Sequence, residues 1–261
     1  TPETSPPQET DTVPTSTPQA TPEPTKTPEP TPKPTDTPTI EPTATPTPKP
    51  DLLDINVMNP KNVEGKLAVW FFELPSENHT GSSILIKTPG DKTILVDGSI
   101  DEGARLVVRY LDQLGIKKLD YIIATHMHID HIGGFPRIMN SVEVVDALGT
   151  TFTDYNTSAV RNFFNSMSER DIVYQPVIKG NVIQLEKDLI LEVLYPFGDF
   201  TVGEGDNPHE NEWLNNTSVV FKLRYKNRSF LMTGDIHQAV EFDLIHEYGG
   251  KLESDVMLVP H

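Results

Sequence analysis

The stretch YIIATHMHIDHIGG, residues 121–134, constrains the fold of this chain most, because an apolar run leads directly into a cluster of possible metal ligands. Six positions contain His126, His128, Asp130 and His131. The apolar residues before the cluster predict a buried strand, and the two glycines after it predict a turn. Side chains two positions apart on extended backbone point the same way, so His126 and His128 can face one site. Imidazole and carboxylate ligands suit zinc, and also manganese or iron(II).

The first 50 residues differ in composition from the rest of the chain. They contain 16 of the 24 prolines, 16 threonines and no aromatic residue. Such a segment buries too little apolar surface to offset its ordering entropy, so we predict disorder with local polyproline II structure. We therefore divide the chain into a Thr/Pro-rich linker (1–50), a connector (51–65) and a globular domain (66–261). Tracts of this kind resemble the wall-spanning linkers of secreted bacterial proteins, which predicts a secreted or cell-wall location.

Charge and residue content exclude several classes of protein. The net charge is −17, and the first 50 residues contribute −4 of it through seven acids and three lysines, which leaves −13 on the remainder. A basic stripe is absent, so we expect no stable nucleic-acid complex. The chain has no cysteine, which excludes disulfides, thiolate metal ligands and cysteine nucleophiles. No apolar run approaches the roughly 18 residues of a transmembrane segment.

The globular part mixes strand and helix patterns. Apolar and alternating runs predict strands or hairpins over residues 66–74, 82–88, 92–98, 119–125, 181–197, 218–235 and 255–260. Helical spacing predicts one helix capped by Asp101, a second capped by Ser158 and a third that ends at Gly249. Hairpins interspersed with single helices predict an α/β protein with mixed sheets and the helices outside.

The motifs and their order resemble a known family. THMHIDHIGG, together with ILVDGS, LEVLYPF, NNTSVVFKLRYKNRSFLMTGDI and SDVMLVPH, resembles the metallo-β-lactamase superfamily, and in particular the hydrolase domain of ComEC-type competence proteins and related secreted phosphoesterases. The resemblance covers residues 66–261 and implies an αββα sandwich. Because the family motif and fold continue past the position of His261, we expect the C-terminal part of the domain to be incomplete here.

The resemblance also implies a site with two adjacent divalent metal ions, with zinc favoured and manganese as the alternative. The implied metal ligands are His126, His128, Asp130, His131, Asp235 and His261. The first two would bind one metal, and Asp130 and His131 would bind the other. Asp235 would bridge both metals, and His261 would supply or neighbour the last ligand of the second. Asp130 and Asp235 would be the catalytic carboxylates.

Two further positions follow from the resemblance. Asp97, at the end of ILVDG, matches a carboxylate that orients the metal ligands from behind. Many family members supply a third histidine to the first metal just before the strand that begins at Ser218, where this chain has Asn215 and Asn216. Asn216 is therefore a candidate ligand of the first metal, with water as the alternative. We expect His209, on a nearby loop, to be solvated rather than bound to metal.

The resemblance implies hydrolysis by a hydroxide held between the two metals, whose charge lowers the pKa of bound water. An aspartate bridge without a cysteine ligand argues against a true β-lactamase and favours a phosphodiesterase, acting on extracellular DNA or on a wall-polymer phosphodiester. A lactonase or thioesterase-like hydrolase is the alternative enzyme. A catalytically decayed, metal-stabilised cell-wall module is the non-enzyme alternative, which the missing third histidine favours. We predict that His237, just after Asp235, is a surface residue rather than a general acid.

Overall fold

The computed structural model describes residues 56–74 and 81–261. The predicted linker over residues 1–50 therefore lies outside the described residues. The described strands are β1 (Ala68–Phe71), β2 (Ile84–Lys87), β3 (Thr93–Val96), β4 (Lys118–Ala124), β5 (Glu143–Gly149), β6 (Val173–Pro176), β7 (Val182–Glu186), β8 (Leu189–Tyr195), β9 (Val220–Tyr225), β10 (Arg228–Met232) and β11 (Val256–Met257). The described helices are α1 (Pro60–Val63), α2 (Asp101–Gln113), α3 (Ile129–Ile132), α4 (Phe135–Met139), α5 (Ser158–Ser168), α6 (Asn211–Asn215) and α7 (Gln238–Tyr248), the last followed by a 3-10 turn (Gly249–Leu252).

The strands form two mixed sheets. The first sheet has the order β1-β2-β3-β4-β5-β6, in which β1 to β3 are antiparallel and β3 to β6 are parallel. The second sheet has the order β11-β10-β9-β8-β7 and is antiparallel except for the β10–β11 pair. Among the described helices, none is long and apolar enough to span a bilayer.

Alternation along the strands of the first sheet sends apolar side chains to two different cores. Leu95 of β3 packs in a core shared with α2, α4 and α5, whereas its neighbours Ile94 and Val96 pack in a core between the two sheets. Phe221 of β9 enters the inter-sheet core from the other side. A third apolar cluster joins the outer face of the second sheet to α7, with Val240 in it. The layers are therefore helix, sheet, sheet and helix, which confirms the predicted αββα fold.

Most of the predicted elements are present, but two details were wrong and two strands were missed. The predicted hairpins correspond to β7–β8 and β9–β10. Asp101 is the first residue of α2 and not its cap, which is Ile100. Thr157 rather than Ser158 caps α5, because its hydroxyl accepts a hydrogen bond from the Val160 N–H. Strands β5 and β6 were not predicted.

The predicted connector contributes to the globular part. Helix α1 lies within it, and Val63 at the end of this helix is buried in the core next to the helices. The Trp70 indole N–H in β1 donates to the Val57 carbonyl at 3.2 Å. Packing against β1 therefore extends at least as far back as residue 57.

Hydrogen bonds between loops join the two sheets beside the histidine cluster. The Val219 N–H, just before β9, donates to the Thr125 carbonyl, just after β4, at 2.9 Å. The Thr150 hydroxyl, after β5, donates to the Thr217 carbonyl at 2.7 Å. These bonds fix the start of β9 against the carboxyl ends of β4 and β5.

Candidate metal centre

The predicted site residues are brought together at the carboxyl ends of strands from both sheets. Asp97 follows β3, the histidine cluster follows β4, and Asp235 follows β10. Loops beyond strand ends can bring side chains together that are distant in sequence, and ligand sites in α/β proteins favour this edge. The side chains of Asp97 and His131 are in contact, and so are those of His131 and Asp235.

Asp97 is a buried carboxylate that fixes the histidine cluster from behind. Its oxygens accept hydrogen bonds from the Thr125 N–H at 2.9 Å, from the Thr125 hydroxyl at 2.9 Å and from His131 Nδ1 at 2.8 Å. An ionised carboxylate only accepts, so His131 carries its proton on Nδ1 and presents Nε2 to the site. Asp97 has a φ of +57°, a region that few residues other than glycine occupy, which is typical of functional loops.

His126 and His128 form the first candidate metal position. His126 is fully buried, and its Nε2 lies 2.9 Å from His128 Nδ1. The other nitrogen of His126, Nδ1, lies 3.1 Å from the Thr125 hydroxyl and 3.2 Å from the Ser218 hydroxyl. Because the Thr125 hydroxyl donates to Asp97, it accepts from His126 Nδ1–H. The lone pair of His126 therefore lies on Nε2, next to His128 Nδ1.

His131, Asp130 and Asp235 form the second candidate position. His131 Nε2 lies 3.3 Å from Asp235 Oδ2 and 3.9 Å from Asp130 Oδ2. Burial lowers the pKa of His131, but Asp97 and Asp235 outweigh it and raise this pKa to about 10. Burial raises the pKa of Asp235, yet the hydrogen bond and charge of His131 bring it below its usual value. The positive charge of protonated His131 therefore offsets the negative charges of Asp97 and Asp235 when no metal is bound.

Asp235 lies between the two positions, and its backbone is held in place. One ligand atom from each of His126, His131 and Asp235 lies within 4.8 Å of the others, a group that could bind a metal ion. The Asp235 N–H donates to the Ser218 hydroxyl at 3.1 Å. Gly234, just before it, has a φ of +56°, and a Cβ added there would lie 2.7 Å from the Ser218 Cβ. Only glycine fits this turn without movement of Ser218.

The two asparagines before β9 have different surroundings. Asn216 Oδ1 accepts a hydrogen bond from the His237 N–H at 2.8 Å, so it helps to form the start of α7. Asn215 is buried, and its Nδ2 lies 3.1 Å from His237 Nε2. His237 is partly buried and its ring stacks on that of His261 at 4.9 Å. His237 lies at the helix start, as predicted, but it is only partly exposed, because α7 begins beside the site.

A cavity of about 370 Å³ opens onto these groups. It is lined by Ile100, His128, Ile129, Asp130, Asn211, Asn215, Asp235 and His261. Neither Asn216 nor His209 lines it. His209 is exposed, and its ring lies 5.7 Å from that of Tyr155. The sequence reasoning overlooked Thr125 and Ser218, whose only signal is that each flanks a predicted site residue or strand.

Comparison with known proteins identifies the family. A family model of the metallo-beta-lactamase superfamily matches residues 78–257. The chain belongs to this superfamily. The match spans the histidine cluster and the Asp235 loop, so the predicted family resemblance is confirmed.

Two curated relatives of this metallo-β-lactamase superfamily chain match parts of it. ComE operon protein 3 of Bacillus subtilis is 27% identical over 159 residues, which is 61% of this chain and 19% of that protein. Metallo-beta-lactamase fold-containing protein ST1585 of Sulfurisphaera tokodaii is 30% identical over 109 residues, which is 40% of this chain and 39% of that protein. The matched regions therefore span about a fifth and two fifths of the relatives' own lengths.

Solved structures of the superfamily resemble the chain at low sequence identity. MEM-A1, a subclass B3 metallo-beta-lactamase isolated from a soil metagenome library, is 16% identical with a TM-score of 0.47, covering 74% of this chain and 76% of that one. Zn(2+)-bound PqqB from Methylobacterium extorquens is 12% identical with a TM-score of 0.44, covering 70% and 62%.

The donor set fits divalent metal ions. Imidazole nitrogens and carboxylate oxygens converge from two sides, and the described part of the chain contributes no lysine or arginine to the cavity lining. Three buried side-chain polar atoms have no hydrogen-bond partner among the described residues, and two of them, His128 Nε2 and Asn215 Oδ1, belong to this site; the third is Ser83 Oγ. Nitrogen and oxygen ligands of this kind suit zinc or manganese. The family and this donor set are those of a metal-dependent hydrolase of the metallo-β-lactamase fold.

Proposed function

We propose that the chain is a binuclear metal-dependent phosphodiesterase. The observation that carries the proposal is the position of Asp235, whose carboxylate lies 3.3 Å from His131 Nε2 and shares a 4.8 Å ligand group with His126. An aspartate between two histidine groups suits a bridging ligand of two metals. The chain has no cysteine that could take the place of a carboxylate ligand. The resemblance to the hydrolase domain of ComEC-type proteins supports the same assignment.

The metal ligands in this proposal come from three segments. His126 Nε2 and His128 Nδ1 would bind the first metal, Asp130 and His131 Nε2 the second, and Asp235 both. His261, at the cavity wall, would complete or neighbour the second position. Two divalent ions, zinc or manganese, would lower the pKa of a water molecule and neutralise charge on a phosphoryl oxygen.

The remaining residues would act on the ligands rather than on the substrate. Asp97 fixes His131 directly and, through the Thr125 hydroxyl, fixes the tautomer of His126. Ser218 holds the backbone of Asp235. Such partners orient metal ligands and raise their basicity, and their loss typically costs about 10–100-fold in metal affinity or activity.

Charge and cavity size narrow the substrate. Residues 51–261 have a net charge of −13, as seven acids and three lysines account for −4 of the total −17. This charge repels a long polyanion, so binding of a DNA strand would depend on the metal ions alone. A cavity of about 370 Å³ suits a diester group and its immediate neighbours. A wall polymer linked by phosphodiesters is also a polyanion, so this charge does not separate it from extracellular DNA, and both are substrates in this proposal.

We also propose a secreted or cell-wall location. The support is the Thr/Pro-rich composition of residues 1–50, which contain 16 threonines and 16 prolines. A segment of this kind serves as an extended spacer. Substrates on wall polymers or outside the cell would be within its reach.

A lactonase or thioesterase-like hydrolase is the second candidate. Ile100 and Ile129 give one wall of the cavity an apolar surface, which suits the acyl part of a lactone or thioester. The same metal ligands would serve either reaction. The decayed module remains the non-enzyme alternative, since no histidine occupies the positions just before β9.

Hydrolysis assays with metal-loaded protein separate these candidates. We expect turnover of bis-p-nitrophenyl phosphate that exceeds turnover of a panel of lactones and thioesters. Asp235→Asn should reduce it by at least about 100-fold, because the bridging carboxylate is lost. The matched control is Asp206→Asn, in an exposed loop away from the cavity. Preferred lactone hydrolysis would favour the second candidate, and inactivity on every substrate in a protein with two bound metals would favour the decayed module.

A further inference from the structure

Asn215 has a buried carbonyl oxygen beside the first metal position. Its side chain is 3% exposed, and Oδ1 has no hydrogen-bond partner among the described residues. Asn215 lines the same cavity as His128 and Asp235. A buried acceptor that lacks a donor is rare in proteins and calls for an explanation such as a bound ion.

His237 determines which way the Asn215 amide faces. Asn215 Nδ2 lies 3.1 Å from His237 Nε2. An amide nitrogen only donates, so His237 Nε2 accepts, and Oδ1 is turned away from His237. Asn216 is unable to take this role, because its Oδ1 accepts from the His237 N–H at 2.8 Å. His237 is thus bonded to both asparagines, by its backbone to one and by its ring to the other.

The first candidate metal position then has three possible ligand atoms. His126 Nε2 and His128 Nδ1 lie 2.9 Å apart, and Asn215 lines the same cavity as His128. We propose that Asn215 Oδ1 is the third protein ligand of the first metal, and that His237 is the positioning residue that holds its carboxamide. The proposal rests on the two-metal site proposed above. Asn215 stands close to where the family resemblance places a histidine ligand in many superfamily members.

The donor chemistry gives the two positions different metal preferences. The first would have two imidazoles and one neutral oxygen, and apart from the shared Asp235 it has no carboxylate. The second has Asp130 as well as His131. Neutral oxygen is a harder and weaker ligand for zinc than imidazole. The first position has a neutral oxygen where the second has the charged carboxylate of Asp130, so it should bind a divalent ion more weakly than the second.

A metal titration of the full chain tests this assignment. Zn²⁺ and Co²⁺ are titrated against a competing chelator, and the visible absorption of Co²⁺ reports on coordination. We expect two metals per unaltered chain, one bound more weakly. Asn215→Leu should weaken that metal at least about tenfold and change the Co²⁺ spectrum, and His237→Ala should weaken it about 10–100-fold. The second metal should be unaffected. Asn211→Leu, on the same helix and cavity wall, is the matched control.

The charged variant Asn215→Asp provides a second test of the same assignment if Asn215→Leu fails to fold. Asn215→Asp retains the volume and adds a stronger oxygen ligand, so it should tighten the weaker metal by at least about tenfold. Unchanged affinities for both metals in Asn215→Leu, or in Asn215→Asp, would overturn the role of Asn215 and leave the two-metal function intact. An unaltered chain that binds no metal would overturn both.

Discussion

At the scale of single residues, Asp97 has the widest influence on the site, because it contacts His131 directly and reaches His126 through the Thr125 hydroxyl, one ligand at each proposed metal position. Asp97→Asn should leave the amide oxygen as an acceptor but remove the charge that supports His131. Metal affinity should fall by about 10–100-fold, measured by chelator competition. Asp112→Asn, at an exposed position on α2, is the control and should bind metal normally. Equal affinities in the two variants would contradict this role.

The glycine before Asp235 gives a second prediction at this scale. Gly234→Ala should lower the free energy of unfolding by at least about 1 kcal/mol, because it adds both a disfavoured φ and a Cβ 2.7 Å from Ser218. Gly249→Ala adds only the disfavoured φ, and Gly250→Ala adds neither. Urea denaturation should rank the three losses in that order. A loss in Gly250→Ala as large as in Gly234→Ala would exclude the steric explanation.

The candidate metal ligands were easier to predict from sequence than the residues that hydrogen-bond to them. The histidine cluster was recognised because its members are neighbours in the chain, and Asp97 and Asp235 because the motifs around them resemble those of the metallo-β-lactamase superfamily. The choice between Asn215 and Asn216 was beyond sequence reasoning. It depends on the orientation of the short helix α6 and on contacts with His237, which lies 22 positions from Asn215. Such contacts exist only in the folded chain.

At the scale of elements, the inter-sheet core depends on strands that are buried on both faces. Phe221 of β9 is fully buried between the sheets, so Phe221→Ala should cost about 3–5 kcal/mol of unfolding free energy. Val182 of β7 is 53% exposed, and Val182→Ala should cost less than about 0.5 kcal/mol. Both are measured by urea denaturation. Similar losses would mean that this core contributes little to stability.

The strands that could be predicted from sequence are those with a clear run of apolar residues. The strands β2, β3 and β9 consist mostly of buried apolar residues and were predicted close to their observed positions. Strand β6 has no fully buried residue and forms because its backbone pairs with β5. Local composition carries no signal for such an edge strand, since its stability comes from hydrogen bonds to a neighbour distant in sequence. The predicted caps were off by one residue: α2 begins after Ile100, which makes no side-chain cap bond, and Thr157 caps α5 in place of the adjacent Ser158.

At the scale of the whole molecule, the site joins the two sheets, since Asp97 and the histidines follow strands of one and Asp235 follows a strand of the other. Bound metal should therefore stabilise the fold itself. A ligand that binds only the folded state adds RT ln(1 + [L]/Kd), which is about 2.7 kcal/mol at 100 times Kd. Chelator-treated protein should accordingly unfold at a lower temperature, and added Zn²⁺ should restore the unfolding temperature.

Variants show whether this stabilisation comes from the proposed site. His131→Ala should show a smaller Zn²⁺-dependent rise in unfolding temperature than the unaltered protein, because the proposed second metal position loses its imidazole from the cluster while His126 and His128 remain. His246→Ala removes an exposed histidine of α7 and should keep the full metal-dependent shift. Calorimetry measures both shifts. A full shift in His131→Ala would place the stabilising metal elsewhere, whereas a reduced shift in that variant alone would support stabilisation of the fold by metal bound at the edge where the two sheets meet.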